Sequence, residues 1–306
     1  MTDVPFIFIH IGKDINYFPH YVNYAIKQCR KWNPINPIFF IGSEVFKDYI
    51  KEPNVEYVSI ESLVESEKHI IFNNTTRLDA AFKGGFWKLT TERFFILEEF
   101  CIQKKFNEFF HLENDNMIYF SSHEMINTFR ESVNGITSTT HGSDSVIFGL
   151  MYCNNFEILS RFTEFYILNN TGENEMLVGK KFYNTYLENT GYLPILPIED
   201  IFSVELTELE KYIYTSNFSK FKGIFDPAGY GQWLGGIDPR NGESRPFIFV
   251  NERPENKELK VDKFDYDIEV TENNLCRYTI KNRTNNKVYP IYLLHIHCKE
   301  LEKFIS

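Results

Sequence analysis

Short apolar runs alternating with amphipathic stretches constrain this chain more than any other feature. Phe6 to His10 is an apolar run that passes into Ile11-Gly12-Lys13-Asp14. Phe18, Val22, Ala25, Cys29 and Trp32 follow at 4-3-4-3 spacing, one face of a helix. Pro19 stands near its first turn, where proline is tolerated, and Pro34 and Pro37 stop it. Ile38 to Gly42 and Val55 to Ile60 are two further apolar runs. This strand–helix–strand rhythm predicts a parallel sheet with helices on its faces and ligands at the carboxyl ends of its strands.

Residues 61 to 83 read as a polar loop with some helix, and a strong helix from Phe86 to Gln103 follows Gly84-Gly85. Its stripe is Phe86, Leu89, Arg93, Leu97 and Phe100, which places an arginine among core-facing residues. A buried arginine needs an anion, either a structural Glu or Asp or the phosphate of a substrate or nucleotide. Gly135 to Thr139 and Ser145 to Tyr152 read as strands around a short loop holding His141 and Asp144. Helices are expected over Phe156 to Leu168 and Glu175 to Glu188, the second ended by Thr190-Gly191. The segment from Phe225 to Arg240 is aperiodic and dense in glycine, which permits close backbone approach. Phe264 to Val270 and Cys276 to Lys281 predict a β-rich end with a turn at Arg283-Thr284-Asn285-Asn286. Without internal repeats or a linker, residues 1–306 are expected to form one domain.

Phe109-Phe110-His111-Leu112 runs straight into Glu113-Asn114-Asp115-Asn116. Carboxylates at i and i+2 share one side of an extended chain, and oxygen ligands of this kind suit Mg²⁺ or Mn²⁺. The plainer reading is a strand leaving into a polar turn, for which Asn-Asp-Asn is suitable chemistry. Near the carboxyl end Ile291 to Leu294 repeats the pattern, an apolar strand running into His295-Ile296-His297-Cys298-Lys299. Either histidine can be a packed or solvated residue. Together with the carboxylates, an imidazole favours Mn²⁺ over Mg²⁺, and Lys299 is a point charge for phosphate.

A formal net charge of -10 and no basic patch disfavour nucleic acid and anionic membrane as partners. No run approaches the roughly 18 to 20 apolar residues of a bilayer span. The amino end carries no basic region before Phe6, so no signal peptide is expected. Five widely spaced cysteines with no Cys-x-x-Cys fit a reducing compartment, and a cytoplasmic location is expected.

With these elements in place, the chain resembles nucleotide-sugar glycosyltransferases of the GT-A fold. The resemblance is carried by four stretches in order: His10-Ile11-Gly12-Lys13, then Phe86-Trp87-Lys88-Leu89-Thr90-Thr91-Glu92-Arg93 leading to the acidic motif, then Asp226 with Gly231-Gln232-Trp233-Leu234-Gly235-Gly236, and finally Leu294-His295-Ile296-His297-Cys298-Lys299. It covers most of residues 5 to 304. It implies an α/β fold, a GT-A-like Rossmann-type mixed and mainly parallel sheet flanked by helices, with a β-rich carboxy-terminal part, and within one domain a nucleotide-binding half over about 1–120 and an acceptor and metal half over about 121–306. The Asp-x-Asp motif of that family stands here as Glu113-Asn114-Asp115, which makes Asp115 the primary metal ligand and Glu113 the secondary one, near metal or ribose. Glycogenin-like members add a late histidine followed by a lysine on the diphosphate. His297 and Lys299 resemble that pair at a spacing shorter than His-x-x-Gly-x-Lys, and His295 is the alternative ligand.

The reading that follows is a glycosyltransferase moving a sugar from a nucleotide diphospho-sugar, UDP-sugar favoured, to a carbohydrate or glycoconjugate, with Mn²⁺ (or Mg²⁺) on the diphosphate. His10, Gly12, Lys13, Arg93, Glu113 and Lys299 would bind the donor. Asp226 would act as general base if the enzyme inverts, and Gln232 would face the anomeric carbon if it retains. Glu199, Asp200 and Asp238 are rivals for the catalytic carboxylate. A catalytically silent nucleotide-sugar or carbohydrate-binding protein on the same fold is the alternative. A nucleotidyltransferase is disfavoured because no Gly-rich basic loop follows the first strand.

Overall fold

The computed structural model describes residues 3–169, 172–197, 206–238, 275–283 and 285–306, together with the backbone of 264–270. The strands are β1 (Phe6–His10), β2 (Ile38–Gly42), β3 (Val55–Ser59), β4 (Phe109–Leu112), β5 (Asn116–Ile118), β6 (Ile136–His141), β7 (Ser145–Cys153), β8 (Thr190–Tyr192), β9 (Ile224–Phe225), β10 (Phe264–Val270), β11 (Cys276–Asn282) and β12 (Val288–His295). The helices are α1 (Val22–Trp32), α2 (Glu67–Thr75), α3 (Phe86–Lys104), α4 (Ser122–Ser132), α5 (Phe156–Leu168), α6 (Glu175–Thr185), α7 (Glu208–Thr215), α8 (Phe218–Phe221) and α9 (Tyr230–Gly235).

Local chemistry explains the main boundaries. Helix α1 buries Val22, Ala25, Ile26, Cys29 and Trp32 along one face, and Asn33 ends it before Pro34. Helix α3 follows Gly85 at φ 84° and ends at Lys105 at φ 58°; the first of these left-handed turns favours glycine. Phe86 is exposed and Leu89 half-buried, so the buried stripe of α3 starts at Arg93, two turns later than expected. The segment that reads as aperiodic contains α9, and Thr190-Gly191, expected to end a helix, is instead the start of a strand paired with β6. The causes differ: Asp226, four residues earlier, accepts the first N–H groups of α9, whereas Thr190-Gly191 is recruited by β6, distant in the chain.

The larger sheet runs β3-β2-β1-β4-β7-β6-β8, with β7 antiparallel to both its neighbours and the other pairings parallel. The expected mixed, mainly parallel α/β sheet is therefore present. Phe6, Ile7 and Phe8 of β1 and Phe109, Phe110 and Leu112 of β4 are fully buried, as strands covered on both faces must be. Strand order reverses between β1 and β4, the switch point where open α/β sheets leave a crevice beyond their carboxyl ends.

A second sheet, β10-β11-β12-β5, has β9 on β12. It supplies the β-rich carboxy-terminal part. The chain leaves the first sheet on β4, turns at 113–115, and enters the second as β5, antiparallel to β12 with His295 opposite Asn116. Strand β9 joins β12 from the other side, with Phe225 opposite Leu293. The turn after β4, the end of β12 and the segment after β9 therefore meet at the switch point. One continuous buried cluster carries side chains of both sheets, including Phe110, Ile118, Phe225 and Leu293.

Candidate metal and donor site

Glu113 and Asp115 do not lie on extended chain. The Asn116 N–H donates to Glu113 O at 3.2 Å, so the two acids occupy a turn, and the expectation of carboxylates side by side on a strand is corrected. Asn and Asp favour such turns because their short polar side chains satisfy nearby backbone. The turn is fastened on three more sides. The Glu113 N–H donates to Gly149 O at 2.9 Å, and the Ile296 N–H to Asp115 O at 2.8 Å. The Asn114 side-chain amide donates to Ile9 O at 3.0 Å at the end of β1.

This turn faces the end of β12. His295 Nε2 lies 3.2 Å from Asp115 Oδ2 and 3.8 Å from Glu113 Oε2. One ligand atom from each of Glu113, Asp115 and His295 falls within 4.8 Å of the others, a group that can hold a metal ion. An ion with ligands at about 2.1 Å places them about 3 Å apart when adjacent and about 4.2 Å apart when opposed, so these separations fit after small adjustments. Two carboxylates and one imidazole suit a hard or borderline divalent cation. His295 Nδ1 is buried without a hydrogen-bond partner, and its ring lies 4.7 Å from that of His297, tilted by 31°.

The Lys299 ammonium contacts Asp115 Oδ2 directly and lies 5.4 Å from the Tyr21 ring. Burial pushes the Asp115 carboxyl up, but the His295 and Lys299 charges outweigh it and hold the group well below the usual carboxylate range. The same pair works in reverse on His295, where burial pulls down and the Asp115 charge raises the net value. Lys299 is likewise raised, by Asp115 against burial. Burial lowers His297 to about 3, reinforced by the His295 and Lys299 charges.

Of the two late histidines, His295 joins the carboxylates. His297, the first choice from its spacing to Lys299, lies outside the group, with its Nε2 buried and unpartnered. The reason is the strand: β12 ends at His295, which pairs with Asn116 beside the turn, and His297 is beyond it.

Arg93 meets the site from α3. Its Nη1 lies 2.5 Å from Glu113 Oε1 and its Nη2 3.7 Å from Glu175 Oε1 at the start of α6. Glu175 is 2% exposed and accepts from the Thr90 and Thr91 hydroxyls at 3.0 and 3.2 Å. The structural anion anticipated for Arg93 is thus present, supplied by two glutamates. Its Nε carries no hydrogen bond. Glu175 was missed because, read along the chain, it marks only the first residue of a helix.

At the end of β1, burial lowers His10 to about 4. Its Nε2 is unpartnered, and its ring packs against Phe18 and Phe46. Gly12 O accepts the Ser43 hydroxyl at 2.5 Å, and Lys13 is exposed.

Asp226 departs furthest from expectation. It is 1% exposed, and its Oδ1 accepts the N–H groups of Ala228, Gly229 and Tyr230 at 2.9, 2.6 and 2.9 Å. Its Oδ2 accepts those of Gly231 and His295 at 2.7 and 3.0 Å. With five backbone donors on it, the carboxylate has no free face for proton abstraction, so the general-base assignment is corrected. Asp226 holds the start of α9 and the backbone of His295. Gln232, on α9, has a side-chain oxygen that is buried and unpartnered. Asp238 is 7% exposed, and its charge acts on both His297 and Lys299. Glu199 and Asp200 lie outside the described residues.

Fold and site together define a mixed α/β protein with a carboxylate–imidazole group at the switch point of its sheet. No family model and no curated protein matches the chain. Among solved structures it is similar to mouse xyloside xylosyltransferase 1, at 11% identity over 63% of this chain and 86% of that one, with a TM-score of 0.45. It is similar to the galactosyltransferase LgtC in complex with donor and acceptor sugar analogs, at 11% identity over 70% and 83%, with a TM-score of 0.42. It is also similar to the glycosyltransferase GlyE of Streptococcus pneumoniae, at 12% identity over 63% and 45%, with a TM-score of 0.40. All three of those proteins are glycosyltransferases. Among the described residues no helix is long and apolar enough to cross a membrane.

Proposed function

We propose that this protein is a metal-dependent glycosyltransferase. It would move a sugar from a nucleotide diphospho-sugar, UDP-sugar favoured, to a carbohydrate or glycoconjugate acceptor. The observation that carries the reading is the convergence of Glu113, Asp115 and His295, from two sheets, at the switch point beside Lys299. Asp115, His295 and Glu113 hold Mn²⁺, with Mg²⁺ the other candidate. When bound, the ion supplies positive charge that makes a diphosphate a better leaving group.

The chain's own residues do the rest. Lys299 presents an ammonium to the same anion and neutralises charge that grows as the sugar–phosphate bond breaks. His10, Gly12 and Lys13, at the end of β1, lie where a nucleotide enters such a crevice. Arg93 sets the charge and direction of Glu113 through a 2.5 Å contact. Asp226 fixes the backbone of His295. Gln232 offers an unsatisfied carbonyl oxygen to the sugar. The ligands come from both halves of the chain, and the core shared by the two sheets supports a single domain. Five free cysteines support a reducing, cytoplasmic setting.

One observation favours the second reading, a silent nucleotide-sugar-binding protein. Asp226, the carboxylate expected from the sequence to act as general base, is fully engaged by backbone N–H groups. Slow hydrolysis of the donor to nucleoside diphosphate separates the two, since only an enzyme releases sugar.

A thermal-shift scan of uridine and guanosine diphospho-sugars, with and without Mn²⁺, tests the reading. Stabilisation by one of them that requires Mn²⁺ and disappears in Asp115→Ala is expected. Absence of stabilisation by every donor removes the assignment.

A further inference from the structure

Strand β6 carries four consecutive hydroxyl residues, Thr137-Ser138-Thr139-Thr140, all fully buried in the sheet, where apolar side chains are the usual choice. They coincide with an irregularity in the β6–β7 pairing. Ser138 stands opposite Met151, yet Thr139 stands opposite Ile147, so Phe148, Gly149 and Leu150 have no partner on β6. Ser138 Oγ closes this gap. It lies 2.6 Å from Ile147 O, just before the looped-out residues, and 2.6 Å from Leu150 O, the last of them, so its one proton is shared between the two carbonyls. Thr139 Oγ1 adds a bond to Ile147 O at 3.1 Å.

The looped-out segment touches both ends of the acidic turn. Gly149 O accepts the Glu113 N–H at 2.9 Å. Gly149 also packs on the Asn116 amide, so closely that a Cβ there would sit 2.9 Å from Asn116 Oδ1. The Asn116 amide in turn donates to Asp115 Oδ1 at 3.2 Å. Irregularities of this kind re-aim neighbouring groups and are common beside active sites.

We propose that Ser138 is a positioning residue for the metal site. Its hydroxyl fixes the Phe148–Leu150 loop-out, and through Gly149 it sets where Glu113 and Asp115 stand relative to His295. The inference rests on the metal reading above. Partners hydrogen-bonded to metal ligands typically contribute 10- to 100-fold to metal affinity, and Ser138 acts one link further back, through Gly149, so its effect is expected at the lower end of that range.

The test is Mn²⁺ affinity by electron paramagnetic resonance titration, with melting temperature and donor KM and kcat measured alongside. Ser138→Ala and the shape-conserving Ser138→Cys are expected to weaken Mn²⁺ binding about tenfold and to raise KM for the donor more than they lower kcat. Ser138→Thr, which keeps the hydroxyl, is expected to restore binding. Thr140→Val is the control for a structural effect. It deletes a hydroxyl of the same strand that bonds Gly142 O and Ser145 O, away from the loop-out, and is expected to lower the melting temperature while leaving Mn²⁺ affinity unchanged. Wild-type affinity in both Ser138→Ala and Ser138→Cys overturns the proposal, as does an equal loss in Thr140→Val. A wild-type protein that binds no Mn²⁺ overturns the metal reading itself, which is a different result.

Discussion

Replacing Asp226 by alanine distinguishes a structural carboxylate from a catalytic one. The side chain accepts five backbone N–H groups at 2.6 to 3.0 Å in a position 1% exposed. Each buried donor left unsatisfied costs about 1 to 3 kcal/mol, and water entering the space relieves part of it, so a loss of about 5 kcal/mol is expected. Asp226→Asn keeps one oxygen but turns an amide NH₂ toward N–H donors, with an expected loss of about 3 kcal/mol. Urea unfolding followed by circular dichroism gives both values. Mn²⁺ affinity is expected to fall in parallel, because the N–H of His295 is among the groups released. A melting curve within about 0.5 kcal/mol of wild type, combined with lost sugar transfer, would show a carboxylate free to act as base and refute this reasoning.

Two further outcomes follow from buried charges on α3. Buried His69 joins α2 to α3 through Glu99 at 3.0 Å and Glu92 at 3.3 Å; burial would lower its pKa, but the two carboxylates raise it to about 9. Its contribution is therefore complete below about pH 6.5 and lost as pH rises through about 9, worth about 3 kcal/mol at most, and His69→Gln is expected to flatten that part of the stability–pH curve measured in urea. Arg93→Met strips the cation from Glu113 and Glu175 and is expected to cost about 3 kcal/mol, with Mn²⁺ restoring more stability to the variant than to wild type in a metal titration, because the ion takes over the lost charge on Glu113.

The order of β1, α1, β2 and β3 was legible because each element carries its own period, and α5 was read over its observed span of Phe156–Leu168. What escaped is what partners outside each element decide. Thr190–Tyr192 is too short to show an alternation and becomes a strand only because β6 is beside it. Helix α9 looked aperiodic because its glycines suit close packing, and Asp226 supplies the cap that defines its start. The residue types of the site were visible, since carboxylates and imidazoles at the ends of apolar strands are costly without a purpose. Their pairing was not. His295 rather than His297 reaches Asp115 because of a strand register spanning 180 residues, and Arg93 finds its second anion in Glu175, 82 positions along the chain.

The most direct test of the central claim is an anomalous difference map at the manganese edge from crystals grown with Mn²⁺ and a uridine diphospho-sugar. A single strong peak is expected about 2.2 Å from a carboxylate oxygen of Asp115 and from Nε2 of His295, with Glu113 alongside and diphosphate oxygens completing the shell. A map in which Asp115 and His295 carry no peak, or in which the ion sits on His297 instead, contradicts the account.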